Sequence, residues 1–290
     1  MHVSSSNLFK DRICGSVQSQ ASRILFCIPK PPLVASVDAI AFPGDGVEWP
    51  FWPTPVTGTA VTHPHSGGLL GMIHNRLKAA SFEPAAVFVV EPRACVDRFA
   101  MYNNLLPMEL TERGEPIGEY DGSSRTAAST LAQLIEAAYK EAGVTPPDAL
   151  PLLAFGFSKA GIVLNQLLAE AAGVVDGDDD DGSRLLGRLS AVHYLDAGLA
   201  REGGAHLTDE ATIEALGRRP RRPTVAFHGT PRQWRDETKP WLRGEMEASA
   251  ASLKKAGVDV TQHEYFTDEP LSLAMHFACV ESFELGAGPG

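Results

Sequence analysis

From about residue 36 onward, short apolar runs of β character alternate with longer segments of helical period. The strand-like runs are Val37–Phe42, Ala85–Val90, Leu150–Phe157, Leu189–Leu195, Thr224–His228 and Val258–Phe266. Several are apolar at nearly every position, which suits strands covered on both faces. The helical segments carry a one-sided stripe instead. In Arg125–Ala142 the residues Leu131, Leu134, Ile135 and Ala138 share one face, and Gly143 followed by Pro146-Pro147 stops the helix. Trp241–Ala256 aligns Leu242, Met246, Ser249, Leu253 and Ala256 and ends at Gly257. Another helix is predicted around Leu69–Ala80, after a stretch rich in Pro, Gly and His. Strands that each feed a helical crossover predict an α/β domain with a mostly parallel sheet.

The 290 residues accommodate one such domain, predicted over residues 36–285, behind an N-terminal extension of residues 1–35. The first thirty residues carry Lys10, Arg12, Arg23 and Lys30 against the single acid Asp11, with many serines. That is the composition of a transit peptide without its Arg-rich amphipathic stripe, so the segment reads as a targeting signal or as a plain tail. Lys+Arg number 25 against 36 Asp+Glu, a net charge of −11, which argues against a nucleic-acid partner. Asp176 and Asp178–Asp181 supply five of those excess negatives. This glycine-flanked block is expected to be a solvated loop, and it lacks the closing Glu of a calcium loop. No apolar run approaches the ~20 residues that span a bilayer, so no transmembrane segment is expected. Cys14, Cys27, Cys95 and Cys279 form no C-x-x-C pair. They predict neither a disulfide framework nor a zinc site, and they suggest a reducing compartment. No cofactor and no metal are expected.

The residues richest in chemistry are Gly156-Phe157-Ser158-Lys159-Ala160-Gly161, between the apolar run ending near Phe157 and the apolar helical run Ile162–Ala172. A strand, a tight turn and a helix form the setting of a nucleophile elbow, in which the residues two before and two after the serine must be small. Gly156 meets that demand and Ala160 meets it with one extra methyl. The plainer reading makes Ser158 a helix N-cap after a sharp turn. An elbow also makes the Lys159 backbone N–H an oxyanion donor at a helix N-terminus. A second donor is expected from Gly44 or Asp45, in Phe42-Pro43-Gly44-Asp45-Gly46 after an earlier strand.

A serine nucleophile needs a base, and His276, beyond the last strand, is the candidate. His263 reads as structural, His228 as a possible pocket residue, and His63, His65 and His74 as surface or local hydrogen-bonding groups. Two aspartates compete to orient the base. Asp236 follows the strand Thr224–His228 after a long loop, and Asp196 ends the strand Leu189–Leu195. Asp236 is the slightly preferred acid.

Gly156-Phe157-Ser158-Lys159, followed by Val163-Leu164-Asn165-Gln166-Leu167-Leu168, resembles the eukaryotic family named for chromosome 2 open reading frame 69. Phe42-Pro43-Gly44-Asp45, Arg98-Phe99 with Tyr102 and Asn104, Tyr194-Leu195-Asp196, Thr230-Pro231 with Arg235-Asp236, Phe266-Thr267 and His276-Phe277 occur in matching order. The resemblance spans roughly residues 37–283 and is specific as a set. It implies a three-layer α/β-hydrolase-like fold, and the family's mitochondrial members favour a mitochondrial over a cytoplasmic location. It leaves the substrate open. The sequence departs from the family pattern at Ala160, where the pattern has Gly, and in the acidic insertion.

Together these readings predict a serine hydrolase that forms an acyl-enzyme on Ser158 from a small-molecule ester, thioester or amide. The alternatives are an acyltransferase with the same triad, and a catalytically inactive binding or scaffolding protein with a protein partner. Trp49, Phe51 and Trp52 are candidates for a lid or pocket wall, or for ordinary aromatic core.

Overall fold

A computed structural model describes residues 11–19, 22–45, 66–147, 149–175 and 177–286. Ten strands are present among them: β1 Arg12–Gln18, β2 Arg23–Pro29, β3 Val37–Phe42, β4 Ala85–Glu91, β5 Ala94–Val96, β6 Phe99–Met101, β7 Leu152–Phe157, β8 Leu189–Leu195, β9 Thr224–Gly229 and β10 Val260–Glu264. The helices are α1 Ser66–Ala79, α2 Thr126–Glu141, α3 Gly161–Ala172, α4 Asp181–Arg188, α5 Glu210–Gly217, α6 Pro231–Trp234, α7 Trp241–Lys255 and α8 Leu273–Ser282. Eight strands form one sheet in the order β1-β2-β4-β3-β7-β8-β9-β10. The pairs from β4 to β10 are parallel, and β1–β2 and β2–β4 are antiparallel. β5 and β6 make a separate hairpin after β4.

Both faces of the sheet are covered, which is why its strands read as continuous apolar runs. Ile24, Phe26, Ile28, Ile40, Phe42 and Leu152 point to one core, shared with α2, α3, α4, α5 and α7. Leu25, Cys27, Ala39, Ala41, Leu153 and Phe155 point to the other, shared with α1 and α8. The period of two sends alternate side chains to opposite cores. On α2 the expected stripe Leu131, Leu134, Ile135 and Ala138 is buried, each larger side chain contributing about 1.5–3 kcal/mol.

α3 is buried around nearly its whole circumference, so its polar residues need internal partners. Asn165 accepts from the Tyr194 hydroxyl at 2.6 Å and donates to the Gly204 and Ala205 carbonyls at 3.2 Å. The Glu170 carboxylate accepts from the Ala127 and Ala128 N–H groups at 3.0 and 2.9 Å, capping α2 from a neighbouring helix. Gln166 donates to Glu170 and to the Asp121 carbonyl, both at 2.9 Å. At the start of β3, buried Asp38 accepts from Tyr139 at 2.7 Å and pairs with Arg188.

Three expectations are corrected. The boundary at residue 36 is not an edge of the sheet, because β1 and β2 lie upstream of it and β2 pairs with β4. Cys14 and Cys27, 13 residues apart, are register partners across β1 and β2, and their sulfurs are bonded. A hairpin brought them together where sequence spacing gave no motif, and such a bridge belongs to oxidising rather than reducing surroundings. Finally, the acidic block does more than solvate a loop. Asp180 caps α4, accepting from the Ser183 N–H at 3.0 Å, and Asp179 and Asp181 pair with Arg184. Acids are favoured there by the unpaired N–H groups and the dipole of the helix. Asp176 lies outside the described residues.

Candidate active site

β7 runs through the middle of the sheet and ends at Phe157, and the chain turns into α3 through Ser158–Ala160. Ser158 has φ of +56°, the left-handed conformation an elbow imposes on a non-glycine residue. Gly156 is required here: a Cβ on it would lie 2.8 Å from Leu164 Cδ1 and 2.9 Å from the Ala160 carbonyl oxygen. Ala160, by contrast, adopts ordinary helical backbone and is buried, so its methyl is accommodated.

His276 lies in the first turns of α8, whose start is capped by Ser272 accepting from the Met275 N–H at 3.3 Å. Its Nε2 is 3.0 Å from Ser158 Oγ, and its Nδ1 is 2.5 Å from Asp196 Oδ2. The Phe157 ring lies against the imidazole at a centroid distance of 4.6 Å. Packing and hydrogen bonding thus fix the ring between a hydroxyl and a carboxylate.

Asp196 follows β8 directly, is buried and has φ of +46°. Its Oδ1 accepts from the Thr230 N–H at 2.7 Å and its Oδ2 from the Thr230 hydroxyl at 3.0 Å. Its own N–H bonds the His228 carbonyl at 2.7 Å, and its carbonyl accepts from Gln233 at 3.0 Å. The turn after β9 therefore supplies donors to the acid that leaves β8.

Asp236, the preferred acid by sequence, is not brought to His276. It stands beyond α6 and accepts from the N–H and hydroxyl of Thr238 at 2.9 and 2.6 Å. Those bonds hold its carboxyl below the usual range. The short helix α6 carries the chain away before Asp236 is reached.

The oxyanion candidates Lys159, Gly44 and Asp45 meet beside Ser158. A Cβ on Gly44 would sit 2.5 Å from Ser158 Cβ and 2.7 Å from the Phe157 carbonyl oxygen, so only glycine allows this approach. Lys159 is buried, its Nζ 2.7 Å from Asp45 Oδ1. The sequence points to the backbone N–H groups of these residues, and the pairing of the Lys159 and Asp45 side chains emerges only in the fold. The signal was available in a charged residue placed inside an otherwise apolar turn.

The other histidines are brought elsewhere. His228 is buried, with Nε2 3.1 Å from His193 Nδ1 and Nδ1 2.9 Å from the Tyr265 hydroxyl. His263 stacks on it from β10 at 5.2 Å. Burial lowers His193 to about 3 and His228 well below the ordinary imidazole range. His74, expected at the surface or in local bonding, is buried on α1, and burial lowers it to about 4. His63, His65, Trp49, Phe51 and Trp52 lie outside the described residues.

The strand order, the elbow and the covered parallel sheet define an α/β-hydrolase fold. The structure of esterase Est22 has this architecture, with a TM-score of 0.53, 11% identity, and coverage of 95% of this chain and 78% of that one. Est22 with p-nitrophenol gives a TM-score of 0.50 at 11% identity, covering 90% and 74%. Residues 121–259 match the C2orf69 family model, in line with the family resemblance read from the motifs. A mitochondrial protein C2orf69 homolog of Danio rerio is 29% identical over 196 residues, which is 64% of this chain and 56% of that protein. Mitochondrial protein C2orf69 of Homo sapiens is 29% identical over 128 residues, 44% of this chain and 32% of that one. The matches span about half or less of the relatives' own length. Their names agree with the mitochondrial location expected from the sequence. Among the described residues no helix is long and apolar enough to cross a membrane.

Proposed function

We propose that the protein is a serine hydrolase that cleaves a small ester, thioester or amide in mitochondria through an acyl-enzyme on Ser158. Ser158 Oγ attacks the carbonyl carbon while His276 Nε2 takes its proton. Asp196 keeps the other ring nitrogen protonated and stabilises the imidazolium. The tetrahedral oxygen faces the backbone N–H of Lys159 and the Gly44–Asp45 peptide, each donor lowering the barrier by roughly 2.7–4 kcal/mol. His276 then protonates the leaving group, and water repeats the sequence to release the acid and free the serine.

One observation carries this reading: a continuous relay of 3.0 and 2.5 Å joins three side chains that come from the ends of β7 and β8 and from α8. The likeness to esterases supports the fold on which the relay is built and leaves the activity to experiment. Purified protein should hydrolyse p-nitrophenyl esters or acyl thioesters, and Ser158→Ala should reduce turnover at least a thousandfold without changing the melting temperature. Turnover equal in the two proteins would refute the assignment. A folded protein inactive across both panels, whose cellular role survives Ser158→Ala, would establish the non-catalytic binding protein instead.

A further inference from the structure

We propose that the Lys159–Asp45 ion pair is a positioning device, which clamps the Gly44–Asp45 peptide against Ser158 so that its N–H groups stand ready for the oxyanion. This rests on the hydrolase reading and assigns to two side chains a role that the triad does not provide. Lys159 Nζ has three acceptors: Asp45 Oδ1 at 2.7 Å, the Ala100 carbonyl at 3.3 Å and the Arg113 carbonyl. It also lies 4.9 Å from the centre of the Phe99 ring. Every ammonium proton is therefore used, and the lysine has no donor left for solvent.

Asp45 is held twice at the same oxygen, which also accepts from the Ala100 N–H at 2.7 Å. One residue earlier in the loop than Gly44, the Pro43 carbonyl accepts from the Tyr102 hydroxyl at 2.6 Å. The segment is thus fastened on both sides of Gly44, the residue whose backbone presses on Ser158. All the anchors come from β6, from the residue directly after it, from Arg113 or from the elbow. The turn of the β5–β6 hairpin uses Asp97 and Arg98, both with positive φ, as a two-residue turn that matches strand twist demands.

The pair is costly to break. Burial pushes the Lys159 amine down and the Asp45 carboxyl up, and each partner opposes the shift of the other. Removing one partner strands the other's charge, whereas removing both charges leaves only the Ala100 and Arg113 carbonyls without the lysine donor. Fold stability and loop position can therefore be separated by substitution, with the Lys159 backbone N–H kept throughout. A displacement of about 1 Å at such a site is enough to cost on the order of a hundredfold in rate.

The test compares wild type with Lys159→Met, Asp45→Asn and the double variant Lys159→Met/Asp45→Asn. The readouts are kcat and KM on an ester the wild type cleaves, and the rate of fluorophosphonate attachment to Ser158. The double variant should stay folded and melt above Lys159→Met alone, yet show kcat and labelling rate both reduced 10- to 100-fold with KM within threefold. If a single variant fails to fold, the double variant decides alone. A double variant with wild-type kcat and labelling rate overturns the clamp and leaves the hydrolase assignment standing, as does a change confined to KM. A wild type that neither turns over nor labels overturns both.

Discussion

Asp196 and Asp236 sit in the turns after adjacent strands, β8 and β9, and carry the same carboxylate, yet the two turns make opposite use of it. The turn after β8 is buried and left-handed at Asp196, and its carboxylate gathers two donors from Thr230 besides the imidazole of His276. The turn after β9 continues into α6, and Asp236 satisfies itself locally on Thr238. What distinguishes an acid that can orient a base is therefore a set of donors from a neighbouring turn, not its distance along the chain from that base.

The largest expected effect comes from Asp196→Asn, which leaves the shape intact but presents the wrong hydrogen-bonding group to His276. It should lower kcat by about 10³–10⁴, measured on whichever ester the wild type cleaves. An acid-stability profile probes the same turn from beneath, where the Asp196 N–H bonds the His228 carbonyl and His228 meets His193. His193 and His206, the latter buried against Tyr194 and Phe227, are lowered by burial from 6.5 to about 3, so the folded state binds fewer protons than the unfolded chain below 6.5. Stability should hold above about pH 6.5 and fall progressively as pH drops towards 3. The loss should be about 2 kcal/mol per histidine by pH 5, read from urea unfolding midpoints. Midpoints unchanged between pH 7 and 5 would show that these rings are not held neutral.

Thr230→Val removes one donor from Asp196 and keeps the other, so a fall in kcat of roughly 3- to 30-fold is expected with little change in KM. Asp236→Asn should leave kcat within twofold and cost at most about 1 kcal/mol from the weakened Thr238 contacts. A large loss of activity in Asp236→Asn would break the comparison, and Asp196 would lose its place as the acid.

Much of the sheet was legible because strands buried on both faces write themselves as apolar runs, and β3 and β8 have the bounds those runs predict. The same signal was present in Ile24–Ile28, but a serine-rich, basic start drew those residues into a targeting segment, and β1 was hidden with them. Ser158 and His276 were legible from type, order and setting. Asp196 and Asp236 were not separable, since the donors that favour Asp196 come from Thr230, 34 residues further on. The role of Asn165, Gln166 and Glu170 was equally hidden: sequence showed polar residues on an apolar helix, and only the packing shows which backbone groups they satisfy.

The central claim is that Ser158 is an activated nucleophile, and intact-mass analysis after exposure to a fluorophosphonate tests it most directly. The expected result is one adduct per chain, mapped to the peptide containing Ser158, lost in Ser158→Ala and slowed in Asp196→Asn but not in Asp236→Asn. Folded protein that gains no adduct, under conditions where a control esterase is fully labelled, would contradict the claim.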